Sequence, residues 1–196
     1  MKLYLVSLLA SLPCVVLAQS SLTPADTHSA QNPGSKVAVV FSGGYETVGQ
    51  DRGRPVVLIA AALNVPPEVF RAAFSNVKPA PAGQQPDPAQ VVKNKETLLH
   101  SLGPYGVTND RLDTVSNYYR YNRSRGEMWR NTPAEAYATV ENGVVTGITI
   151  TKAGSGYSSP PTATLPGMTN VVLTTTLAFG TDFEKNGSIK ELKVGP

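Results

Sequence analysis

The sequence predicts an α+β fold: an N-terminal short strand and three to four short helices packed on a C-terminal antiparallel β-meander. Three observations carry this reading. Apolar residues recur at helical spacing between Pro55 and Tyr119, and after Pro133 the chain turns to short β-prone runs. Asn142-Gly143 sits between two of those runs, which is the strongest short-range hairpin signal. Helices gathered first and strands second argue for segregated layers rather than repeating β-α-β units.

The elements follow in order. Lys36 to Phe41 (KVAVVF) is a β-prone run stopped by Ser42-Gly43-Gly44, and a polar loop leads to Arg54-Pro55. Val56 to Leu63 is almost wholly apolar and predicts a buried helix. Pro66-Pro67 opens a second helix, where proline costs nothing in the first turn, with Val69, Phe70, Ala73 and Phe74 on its inner face. Lys78 to Gln90 is a proline-rich loop. Val91, Lys95, Leu98, Leu99 and Leu102 mark a short amphipathic helix closed by Gly103-Pro104. Thr108 is a good N-cap for a further helix carrying Leu112, Val115 and Tyr118 or Tyr119. Four to five strands then follow: 136–140, 144–151, 162–165, 171–179 and, after a turn at Asn186-Gly187, 188–194.

The ends and the composition bound the setting. Met1-Lys2, the apolar run Leu3–Leu12 and the small residues Val16 and Ala18 have the order of a secretory signal peptide cut after Ala18. Residues 19–35 read as a flexible tether, 36–132 as the mainly helical part and 133–196 as the β part, with 36–196 forming one domain. The sole cysteine, Cys14, leaves with the leader. The mature chain then has no thiol nucleophile, thiolate metal site or disulfide. An ordinary core must hold it, and a chain of this size can bury about 70% of its unfolded surface. The formal charge of +3 is too mild to imply nucleic acid, and no later apolar run could span a bilayer. The expected location is extracytoplasmic, at the periplasm, the cell surface or outside the cell.

Residues 147–165 (GITITKAGSGYSSPPTATL) resemble a β-repeat of bacteriophage structural proteins and bacterial surface proteins, built as a strand, G-S-G-Y, a small polar pair, a proline and a T-x-T strand. The resemblance implies a β-structural unit and names no ligand. The stretches Gly53–Ala60 (GRPVVLIA), Leu102–Asn109 (LGPYGVTN) and Val115–Tyr121 (VSNYYRY) resemble a group of uncharacterised exported bacterial proteins, which implies export and a shared fold.

Several constellations have chemical potential. Ala60 to Phe70 has the cadence of a helix-turn-helix, but the second helix offers Arg71 as its basic residue, and a packed helical hairpin explains the same spacing. Asp182, Glu184, Asn186 and Gly187 follow the first half of a calcium loop, yet Lys193 stands where the bidentate glutamate belongs. Of the two histidines, His28 lies in the tether and His100 near a helix end, so neither a metal site nor a cofactor is predicted. Asp110 and Asp113 read as helix-start acids. Asn122-Arg-Ser124 and Asn186-Gly-Ser188 fit the glycosylation pattern in a eukaryotic host.

Asn117 to Arg130 is the most unusual stretch, with four arginines, three tyrosines and the lone tryptophan. Guanidinium pairing and ring stacking suit anionic or carbohydrate partners. Tyr119, Arg120, Tyr121, Arg123, Arg125 and Trp129, with Tyr157 on a nearby rim, form the candidate binding surface. The competing interpretation anchors the aromatics in the core and sends the arginines outward. The expected function is an exported, non-catalytic binding or envelope-associated protein with a protein or polysaccharide partner. A small hydrolase using carboxylates and a structural subunit of an extracellular assembly are the alternatives.

Overall fold

A computed structural model describes residues 34–81, 84–122 and 125–195. The leader, almost all of the tether and Arg123 lie outside the described residues. Strands β1 (Ser35–Ala38) and β2 (Val40–Ser42) come first. Helices α1 (Val56–Ala62), α2 (Pro67–Ser75), α3 (Pro88–Leu102) and α4 (Asn109–Tyr118) follow. Strands β3 (Glu135–Glu141), β4 (Val144–Lys152), β5 (Thr162–Thr164), β6 (Leu173–Ala178) and β7 (Ser188–Val194) complete the α+β fold.

The strands build two antiparallel sheets where the sequence suggested one. Their orders are β1-β3-β4 and β2-β5-β6-β7, and the consecutive β5, β6 and β7 give the C-terminal meander. The run expected as a single strand is shared between the sheets. Ser35–Ala38 pairs with β3, and Val40–Ser42 pairs with β5. Val39 is the corner: its side chain is buried, and its N–H still reaches Ala136 O at 2.9 Å. Beyond that residue the partner strand ends, so the extended chain carries on along the other sheet, as strands do at sandwich corners.

The Asn142-Gly143 turn closes β3 onto β4 with Glu141 opposite Val144. Both turn residues take positive φ, 50° and 78°, as a two-residue hairpin with the sheet's own twist requires. A Cβ on Gly143 would meet nothing within 4 Å. Gly143→Ala should therefore carry only the left-handed backbone penalty of about 1 kcal/mol, read as a lowered urea midpoint at unchanged m value.

The helices behave as their sequences dictate. Asp87 caps α3 by accepting Ala89 N–H, and Thr108 caps α4 by accepting Arg111 N–H. The proline-rich loop ends three residues sooner than expected because Pro88 occupies the first turn of α3. Lys95 ties α3 to α4 through Asp113 at 2.7 Å. Arg111 reaches back and donates three times, twice to Ala62 O at the end of α1, at 3.0 and 2.6 Å, and once to Thr181 O at 2.7 Å. Helices α1 and α2 meet at 106°, and Asn64 takes φ 58° at their junction. Among the described residues no single helix is long and apolar enough to cross a membrane.

Two apolar clusters result. One joins α1, α2 and α4 with Leu102, Tyr119 and Trp129; the other fills the space between the sheets around Ala138, Tyr157, Leu165 and Ile189. Tyr45 packs against both. Its ring stacks on Tyr157 at 5.3 Å and meets Trp129 edge-on at 6.4 Å.

The G-S-G-Y stretch is a four-way junction inside this frame. Ser155 and Thr132 exchange both backbone hydrogen bonds at 3.0 Å. Gly156 O accepts the Trp129 indole N–H at 2.8 Å, and Gly156 N–H bonds Asn186 O at 2.8 Å. The Tyr157 hydroxyl accepts Ala134 N–H at 2.9 Å. The connection after β6 is also held from within. Asn186 is fully buried, donates to Leu58 O and to the Tyr119 hydroxyl at 2.8 Å each, and accepts Gly180 N–H at 3.2 Å. The expected tight hairpin at Asn186-Gly187 is thus a nine-residue link whose asparagine plugs the core.

Burial pushes the phenols of Tyr119 and Tyr45 up from the ordinary 10 to about 12 each. The folded state holds both rings neutral. Their contribution is complete below pH 10, where the unfolded chain is neutral too, and drains away as pH rises through about 12. Thermal melts followed by circular dichroism should show Tm falling above pH 10. Tyr119→Phe should start lower and decline less steeply.

Candidate functional site

The Arg/Tyr/Trp stretch divides by side-chain type. Tyr119, the residue after α4, is 3% exposed and Trp129 4%. The sequence placed both on the binding surface; the fold uses both in the helical core, because an indole or phenol buries a large apolar area when its polar atom finds a partner. Trp129 finds Gly156 O and Tyr119 finds Asn186. Tyr121 lies half-buried, edge-on to Trp129 at 5.6 Å, and its hydroxyl donates to Gly53 O. Tyr157 is 2% exposed and belongs to the inter-sheet core, so it forms no rim.

With its aromatics pinned, the segment turns its arginines outward. Arg120, Arg125 and Arg130 are all exposed. The guanidinium of Arg130 lies over the Tyr118 ring at 5.2 Å, which orients it without consuming its donors. The loop is closed at its base by Asn122 N–H donating to Glu127 Oε2 at 2.7 Å, while Glu127 N–H returns to Asn122 O at 3.1 Å.

These arginines line an open basin of 1040 Å³. The loop before α1 lines it too; there Arg52 takes a left-handed φ of 52° and Arg54 is half-buried. Arg54 stacks on Phe74 at 4.1 Å, and burial lowers its pKa from the ordinary arginine value. Gln84, Gln85 and Pro86 of the proline-rich loop, with Val91 of α3, form the rim. Among the described residues, five arginines and one carboxylate, Glu127, therefore line a single concavity.

Comparison with protein-family models, curated proteins and solved structures finds no match.

A smaller hollow of 310 Å³ shares Arg52 and Arg54 with the basin. There Arg71 grips Asp51 with two hydrogen bonds, 2.6 and 2.9 Å. Asp51 is 4% exposed, so this pair neutralises an acid that could not be buried alone. It also removes Arg71 from the helix-turn-helix reading, because the basic residue of the second helix is spent inside the protein.

The calcium-loop pattern fails geometrically at its fifth position. Asn186 points into the core, Asp182 Oδ1 accepts Glu184 N–H at 3.0 Å, and Asp182 Oδ2 faces Lys185 at 3.4 Å. Asn186 is also too buried to carry a glycan. Among the described residues no three His, Cys, Asp or Glu side chains gather as a ligand set. Asp110 and Asp113 serve α4, the first in its opening turn and the second in the bridge to Lys95.

Arg52 and Arg54 were missing from the site read in the sequence. The doublet Arg52-Gly-Arg54 was visible, but nothing local says that a loop before α1 joins the residues after α4 in lining one cleft.

Proposed function

We propose that the protein acts outside the cytoplasm as a non-catalytic binding protein, holding an anionic partner in the arginine basin. The observation that carries this is the five-to-one excess of guanidinium over carboxylate in one concavity. Guanidinium presents a fixed fork of donors that matches carboxylate and other oxyanions. A partly enclosed cleft of one charge sign also concentrates counter-ions. Export agrees with the leader-like N-terminus. A carboxylate hydrolase is less well supported, since glycoside cleavage requires two acids across the scissile bond and the basin offers Glu127, whose side chain closes the loop base.

The test uses Arg120→Ser/Arg125→Ser, two exposed positions outside the core. The purified wild-type chain should bind a polyanionic matrix such as polygalacturonate, more weakly at high salt, and ignore a neutral one such as dextran. The double variant should keep its melting curve and lose at least about tenfold in affinity, since hydrogen bonds to charged groups contribute about 1.5–3 kcal/mol each. Equal binding by variant and wild type would remove the basin from the function.

A further inference from the structure

We infer that the occupant of the basin is a linear acidic polysaccharide of the uronate type. This deepens the anion-binding reading and rests on it. Two observations point there, the size of the cleft and the chemistry of its lining, and the engagement of the nearby aromatic faces disfavours a nucleic acid.

The cleft is broad and adjoins two further hollows. The 1040 Å³ basin shares Arg52 and Arg54 with the 310 Å³ hollow and Ala80, Gln84, Gln85 and Pro86 with a 350 Å³ hollow, and those two hollows meet at Pro79. Sites for drug-sized molecules run to about 1,000 Å³, so the basin alone fills that range and the adjoining hollows extend it. A chain of several units fits this form better than a single small ion.

Polar amides join the arginines in lining the basin. Gln84, Gln85 and Asn117 are exposed at the basin, and each carboxamide carries both a donor and an acceptor. Hydroxyl groups of a sugar, themselves donors and acceptors, match that pairing. The guanidinium forks of the exposed Arg120, Arg125 and Arg130 match the carboxylate that a uronate carries on each ring.

Rival polymers fit less well. A single-stranded nucleic acid wants open aromatic platforms. Here Tyr118 is stacked on Phe183 at 4.1 Å, and Tyr121 has its edge on Trp129 and its hydroxyl on Gly53 O. An extended acidic peptide wants a sheet edge and alternating side-chain pockets, whereas helices and loops line this cleft.

Titration calorimetry with galacturonate monomer, trimer and hexamer tests the inference, with hexaglutamate and maltohexaose as comparators. The hexamer should bind at least about tenfold tighter than the monomer, and maltohexaose should not bind. Gln84→Ala/Gln85→Ala should weaken the hexamer several-fold and leave hexaglutamate unchanged. Arg120→Ser/Arg125→Ser should weaken both acids. Hexaglutamate binding as well as the uronate hexamer, with no effect of the glutamine changes, overturns the glycan assignment while anion binding stands. Equal affinity for monomer and hexamer overturns the polymeric occupant. Failure of every acid to bind, at low salt and with the fold intact, overturns both readings.

Discussion

Gly156→Ala is expected to destabilise the protein by roughly 2–5 kcal/mol, enough at the upper end to leave much of the chain unfolded at moderate temperature. Two costs combine. The residue sits at φ 81°, where an L side chain loses about 1–2 kcal/mol. A Cβ there would also stand 2.6 Å from Arg130 O and 2.8 Å from Asn131 Cα, so backbone would have to move, and forced repacking costs about 1–3 kcal/mol more. The segment pushed away is the one whose indole bonds Gly156 O. The contrast with Gly143→Ala is the control, because the same φ region with open space around it should carry only the first cost. Urea melts of the two variants side by side make the comparison. Similar midpoints for both would mean that the junction yields easily and does not hold the frame together.

Asn186→Leu should cost about 3 kcal/mol or more, although leucine is of similar size and more apolar. The change removes two donations, to Leu58 O and to the Tyr119 hydroxyl, and the acceptor of Gly180 N–H. Leaving a buried polar group without its partner costs about 1–3 kcal/mol each. Tyr119→Phe alone should cost about 1 kcal/mol, since it deletes one bond and the hydroxyl together. In the double variant the stranded hydroxyl is gone, so the combined loss should fall short of the sum of the singles. Strict additivity in that cycle would show that the two side chains do not depend on each other.

Much of the frame was legible in the sequence because its signals are local. Asn142-Gly143, Thr108 and Pro67 each act through the few residues beside them, and hairpin, cap and helix start all stand where those residues predict. What was not legible depends on distant partners. Nothing in Lys36–Phe41 announces that Val39 is a corner, because the break lies where β3 ends and β5 begins. Asn186-Gly187 looks like any turn dipeptide, and only the proximity of Leu58 and Tyr119 makes the asparagine a core residue.

The candidate site divided along the same line. Arginine and aromatic residues were visible together from 117 to 130, but which faced water was decided by Gly156, Gly53 and Asn186, all far along the chain. The part of the lining at Arg52 and Arg54 was invisible for that reason too. A cleft belongs to no single segment.

The strand that turns the corner at Val39 has a bearing on how the molecule is assembled. Ser35 bonds to Val140, 105 residues away, and Val40 O accepts from Thr164, 124 residues away. Synthesis delivers this first strand long before either of its companions exists, and pairing across such spans is slow. Neither sheet can therefore close until the last third of the polypeptide begins to appear.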